Sequence, residues 1–247
     1  MKKLVLFICL VATFGIRNSA TAQDKPQKNP WDDLLILYVD EKYDKLLTKA
    51  ESYTNADKTT KEPMPYLYAS KAYYEMSKNE KYAKDYPPEK ALKAALKYAA
   101  KYRKKDKEGQ YFDDNKDYFD ELKEVTLEEA ENLVMKEDWI KAKRNYDAIT
   151  DFDPADAGAW MLLGYVNLKQ NITEGKLNIK KSAELFRSLD FKSLSYIDKR
   201  CVKFGLINYA QFLKTKGLAD SARTTLNLGL PYLKDDKEYS VVVDDMK

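Results

Sequence analysis

Residues 142–164, AKRNYDAITDFDPADAGAWMLLG, decide the fold. Ala142, Tyr146 and Ile149 recur at helical spacing and share one face. Pro154 ends that run, because proline has no N–H to donate and its ring collides with the preceding turn. Trp160, Leu163 and Gly164 then take up helical spacing again. The stretch therefore reads as the end of one helix, a short linker and the start of the next.

Working outward, nearly the whole chain keeps a helical period. Leu34, Leu37 and Tyr38 share a face, as do Tyr43, Leu46, Leu47 and Ala50. Asn29-Pro30 reads as an N-cap followed by proline at the first helical position. Pro63 and Pro65 interrupt the pattern, which resumes over residues 66–76, and Tyr86-Pro87-Pro88 interrupts it again before an amphipathic helix over 89–104. Further helices are predicted over roughly 115–136, 138–151, 156–170, 177–189, 196–215 and 218–233. Only 8 Gly and 8 Pro occur in 247 residues, too few for the frequent turns of a sandwich or barrel. The fold class expected is all-α.

The spacings 4, 3, 5, 6, 3 and 1 from Ala142 through Tyr146, Ile149, Pro154, Trp160 and Leu163 to Gly164 resemble the signature of the tetratricopeptide repeat (TPR) family, running from the second helix of one 34-residue repeat into the first helix of the next. The segment 153–160, DPADAGAW, resembles that family's linker between repeats. With one repeat starting at Lys123 and the next at Ala157, a C-terminal copy near Lys203 places Ala210, Ala222 and Gly229 at the small sites and Gly217 at the hairpin turn. A copy near Pro63 carries Tyr66, Ala69, Ser70 and Tyr73, with an insertion around 79–88. The copy from Ala157 is expected to carry extra residues around 171–176. The resemblance implies a TPR-like α-α superhelix (solenoid) of about four to five helical hairpins over residues 30–235. Residues 236–247 are left as a C-terminal tail.

The N-terminus has the three parts of a secretory signal: Lys2 and Lys3, an apolar run over residues 4–14, and Ala20-Thr21-Ala22, predicting cleavage before Gln23. Residues 23–29 are a polar, flexible lead-in. The apolar run is too short to span a bilayer, and Cys9 follows bulky Ile8 inside it, which disfavours lipidation. The leader removes three of the 43 basic residues (Lys2, Lys3 and Arg17) and no acid, leaving 40 of each sign. A neutral mature chain gives no general attraction to nucleic acid or anionic membrane. The chain is expected to be exported, periplasmic or extracellular.

There is no histidine, so Ser-His-Asp triads, Cys-His dyads and His-ligated metals are excluded. The one mature cysteine, Cys201, sits in an apolar helical stretch and permits no internal disulfide. No Gly-rich phosphate loop, CxxC or calcium loop is present, so neither cofactor nor enzyme activity is expected.

The TPR resemblance implies a concave surface on the first helices. Carried onto this chain it comprises Leu67, Lys71 and Tyr74; Leu127, Glu131 and Val134; Met161, Tyr165 and Leu168; and Ile207, Gln211 and Lys214. This set could take an amphipathic helix or an extended segment, or it could be covered by the chain's own helices. Met161 and Tyr165 replace the Lys and Asn with which carboxylate-clamp TPRs hold a peptide C-terminus. Lys90, Lys93, Lys97, Lys101 and Lys104 form a stripe at i+3/i+4 spacing, either a solvated face or a patch for an anionic partner. Among 19 tyrosines, Tyr73/Tyr74, Tyr98/Tyr102 and Tyr111/Tyr118 offer a stacking platform or inter-helix packing. The function expected is a protein-binding adaptor or scaffold of the cell envelope, with a cell-wall or surface glycan-binding module as the alternative.

Overall fold

The computed structural model describes residues 30–246; the leader and lead-in expected over residues 1–29 lie outside them. Among the described residues the chain is all-helical, with no strand. The helices are α1 (Asp32–Val39), α2 (Tyr43–Asn55), α3 (Pro63–Ser77), α4 (Pro88–Lys105), α5 (Lys116–Met135), α6 (Trp139–Phe152), α7 (Ala157–Lys169), α8 (Glu174–Phe186), α9 (Tyr196–Thr215), α10 (Ala219–Asn227), α11 (Leu230–Leu233) and α12 (Lys237–Asp244). Short 3-10 turns lie at Glu80–Tyr82 and Asp113–Asn115.

Successive helices pack in pairs, α1 with α2, α3 with α4, α5 with α6, α7 with α8 and α9 with α10. The pairs are joined sideways: α2 packs on α3, α4 on α6, α6 on α7 and α7 on α9. Helix α7 is apolar around most of its circumference because three helices surround it. Small residues permit the closest approaches. A Cβ on Gly158 would lie 2.3 Å from the Cys201 backbone of α9, and one on Gly164 would lie 2.6 Å from the Ile179 side chain of α8.

Polar side chains fix the helix starts. Asp138, Asp156, Ser195 and Asp236 each accept a backbone N–H from the first turn of α6, α7, α9 and α12. At Ser195 the bond is reciprocated by Asp198, a capping box. The first helices of four pairs end alike. Glu41, Glu137, Asn171 and Gly217 take left-handed φ values of 56°, 56°, 59° and 76°. At each, the next residue's N–H reaches back five positions, as Asp138 does to the Leu133 carbonyl and Ile172 to the Asn167 carbonyl. These are Schellman closures.

Several boundaries differ from the sequence expectation. Pro30 lies in a turn before α1, whose cap position is Trp31. Pro63 and Pro65 begin α3 instead of interrupting it, since the first N–H groups of a helix have no intrahelical acceptor anyway. Helix α8 starts at Glu174, so the extra residues expected around 171–176 are absent there; the longer connection is residues 187–195, before α9. The helix expected over 218–233 divides at Leu228-Gly229, with Pro231 in the first turn of α11. The expected tail forms α12, and its Tyr239 is fully buried with its hydroxyl donating to the Leu226 carbonyl at 2.5 Å.

Candidate functional site

Half of the surface implied by the resemblance is interior. Leu67, Tyr74, Leu127, Met161, Tyr165 and Ile207 are all buried. Helix α9 lies across the face of α7 that carries two of them: Met161 packs on Gly205 and the Tyr165 ring meets Phe212 edge-on at 6.2 Å. The Tyr74 ring packs edge-on against Tyr118, with the Lys78 ammonium 4.1 Å above it. Val134 and Leu168 are half-buried, and Glu131, also half-buried, binds Arg200 of α9 at 2.7 Å. Gln211 and Lys214 are exposed, and Lys214 donates to the Asp245 carbonyl at 2.8 Å.

Lys71 is enclosed by aromatic rings. Its ammonium donates to Asn115 Oδ1 at 2.7 Å and lies 5.3 and 5.4 Å from the Tyr38 and Tyr118 ring centres. Burial lowers its pKa to about 8.

The lysine stripe of α4 borders a cleft of about 610 Å³ against α6. Lys93, Lys97, Lys101 and Lys104 line it, joined by Lys141 and Arg144 from α6, whereas Lys90 does not. Leu92, Leu96, Ala100 and Ala148 supply aliphatic lining. Three acids, Glu89, Glu129 and Asp151, face the six cations. Asn145 Nδ2 in its wall is buried and has no hydrogen-bond partner among the described residues.

A second charged constellation was not legible in the sequence. Lys123 of α5 is 1% exposed, and its ammonium contacts Asp153 at 2.6 Å, Asp156 at 2.8 Å and Asp198 at 2.5 Å. Lys116 adds a second cation on Asp198 at 2.9 Å. Burial opposes the Lys123 charge, yet the three carboxylates raise its pKa well above the ordinary value. Burial also raises Asp156, while Lys123 and Lys116 hold Asp198 far below the usual carboxylate range despite burial. The carboxylates border a cleft of about 550 Å³, but each is ion-paired to the same lysine. The ammonium occupies the position where their oxygens converge, and the cluster ties α5, the α6–α7 linker and the start of α9 together. Cys201 beside it is a buried thiol, its pKa raised by burial.

The tyrosines named as a platform are mostly packed. Tyr73 stacks on Tyr98 at 5.7 Å, and both hydroxyls donate to Glu51. Tyr102 is fully buried and donates to Asp106, Tyr118 bonds with Ser70 inside the core, and Tyr111 is half-buried. No helix among the described residues is long and apolar enough to cross a membrane. No family model, curated protein or solved structure matches the chain.

Proposed function

We propose that this chain is an exported, TPR-like adaptor of the cell envelope that binds a protein partner and carries out no catalysis itself. The observation that carries the reading is the α4/α6 cleft: an aliphatic lining between two helices, bordered by six cations against three acids. A partner helix with one apolar face and acidic flanks complements both features. Its apolar side chains would meet Leu92, Leu96 and Ala100, and its carboxylates would meet the lysines and the unpartnered Asn145 amide. The TPR-like reading rests on the DPADAGAW linker, on successive helices packing in pairs, and on the recurring left-handed closure at Glu137 and Asn171. The binding surface in this reading lies on second helices, because α9 covers much of the first-helix face.

A photo-crosslinking residue at Ala100, introduced into the protein in its native cells, tests the proposal. The expected product is one discrete adduct whose crosslinked peptide is acidic and amphipathic, lost when Lys93, Lys97 and Lys101 are changed to Glu. An adduct unaffected by that triple change, or no adduct while export proceeds, would exclude the cleft as the docking site.

A further inference from the structure

All 19 tyrosines of the chain lie within the described residues, and only two of them, Tyr196 and Tyr232, are mainly in solvent, at 75% and 53% exposure. Both line the same cleft, of about 660 Å³, between α9, α11 and the α8–α9 connection. Every other tyrosine is buried or half-buried, so this coincidence is not a general excess of surface rings. Tyr196 opens a single face of α9 that continues through Lys199, Arg200, Lys203 and Phe204, spaced at i, i+3, i+4, i+7 and i+8. Tyr232 is held flat against Phe191, with centroids 4.5 Å apart and planes within 6°, which fixes the orientation of its outer face.

The charges are arranged around the rings. Arg200 is held by Glu128 and Glu131, and Lys203 by Asp236 and Glu238. Lys192 and Lys199 border the same cleft and form no ion pair among the described residues. The lining differs in kind from that of the α4/α6 cleft. There the apolar part of the lining is aliphatic and suits an apolar helix face; here the apolar part is aromatic except for Leu233, and aromatic faces stack against rings.

We infer that the α9/α11 cleft is a binding site for an acidic sugar chain, with Tyr196 and Tyr232 stacking on sugar rings and Lys192 and Lys199 pairing with ring carboxylates. Sugar rings present flat C–H faces to tyrosine, and a uronic acid adds one charge per ring, matching free lysines placed beside the two exposed rings. Asp236 within the cleft pairs with Lys203 and caps α12, so the charge left for an anionic ligand is that of Lys192 and Lys199, sparse enough for one carboxylate per ring. The inference does not depend on the protein-docking reading, because the two clefts share no lining residue.

The test is calorimetric titration of the purified protein with hexagalacturonate, beside neutral maltohexaose and an oligothymidylate of similar length. The hexagalacturonate is expected to bind, with affinity falling in about 0.3 M NaCl as exposed ion pairs are screened. Tyr196→Ala and Lys199→Glu should each weaken binding by about tenfold or more, while the α4 triple variant Lys93→Glu, Lys97→Glu, Lys101→Glu binds normally. Tyr196 packs so little that its alanine variant keeps the fold, checked by circular dichroism. Lack of binding, equal binding of maltohexaose, tighter binding of oligothymidylate, or loss through the α4 triple change instead of Tyr196→Ala would each overturn the assignment.

Discussion

Glu137 and Asn171, 34 positions apart, take the same left-handed conformation, φ 56° and 59°, at the turns that close α5 and α7. Each turn is built by the same pair of backbone bonds, one reaching back three residues and one five. A glutamate in this region sets its Cβ against the carbonyl, which asparagine tolerates better and glycine avoids. Gly217 fills the equivalent place after α9. Changing Glu137 to Gly is therefore expected to stabilise the chain by about 0.5–1 kcal/mol, and Asn171→Gly by less. Gly217→Ala should cost about 1 kcal/mol, and urea midpoints at constant m-value would rank the three.

Breaking the Lys123 cluster from one side is expected to be costly. Replacing Lys123 with Met leaves Asp153, Asp156 and Asp198 facing one another without their common cation. The expected loss is about 3–5 kcal/mol at neutral pH. Burial already raises the Asp156 carboxyl, and without Lys123 the cation opposing that rise is gone, so protonation relieves it first in the folded chain. The deficit should narrow as pH falls toward about 4. In the parent chain Asp198 works the other way: held below its ordinary 3.8, it contributes stability above that pH and loses it as acid protonates the pair.

Lys71 makes a prediction of the same sign at the alkaline end of the range. Its folded pKa is about 8 against an ordinary 10.5, so between these values the unfolded chain holds a proton that the folded chain has released. Stability should rise with pH from about 8 toward 10. Burial pushes Tyr38 and Tyr73 up to about 12, so these rings stay protonated when unfolded tyrosines ionise, and stability falls again above about 10. Denaturant melts across this range should show the rise disappear in Lys71→Met.

The close contact of α7 with α9 has no room for a methyl group. Gly158→Ala places a Cβ 2.3 Å from the Cys201 backbone, where no flexible side chain can yield. A loss of about 1–3 kcal/mol is expected from thermal unfolding. By contrast, the α4 variant Lys93→Glu, Lys97→Glu, Lys101→Glu should change stability by no more than about 0.5 kcal/mol, because none of the three forms an ion pair among the described residues.

Most of the helical content was legible in local signals. Local signals located α5, α6, α7 and α9 to within a residue or two of their ends: α5, α6 and α9 carry a partner-facing stripe, and α7, apolar on most sides, is bounded by its Asp156 cap and the turn at Asn171. The lysine stripe was equally visible, since i+3/i+4 spacing alone puts Lys93, Lys97, Lys101 and Lys104 on one side of α4. The Tyr196–Phe204 face carried the same spacing signal but was lost among 19 tyrosines, whose exposure depends on neighbours distant in sequence.

By itself, then, the sequence determined an all-helical chain, the place of most turns and the faces that carry charge, because those properties follow from interactions within a few residues. Only the tertiary structure decided which faces remained open. Lys123 meets Asp198 across 75 positions, and α9 lies over Met161 and Tyr165, through packing that no local period encodes. The same packing left Tyr196 and Tyr232 as the two tyrosines mainly in solvent, and brought Lys141 and Arg144 opposite the α4 lysines. Burial is a property of the assembled helices, and no single helix carries it alone.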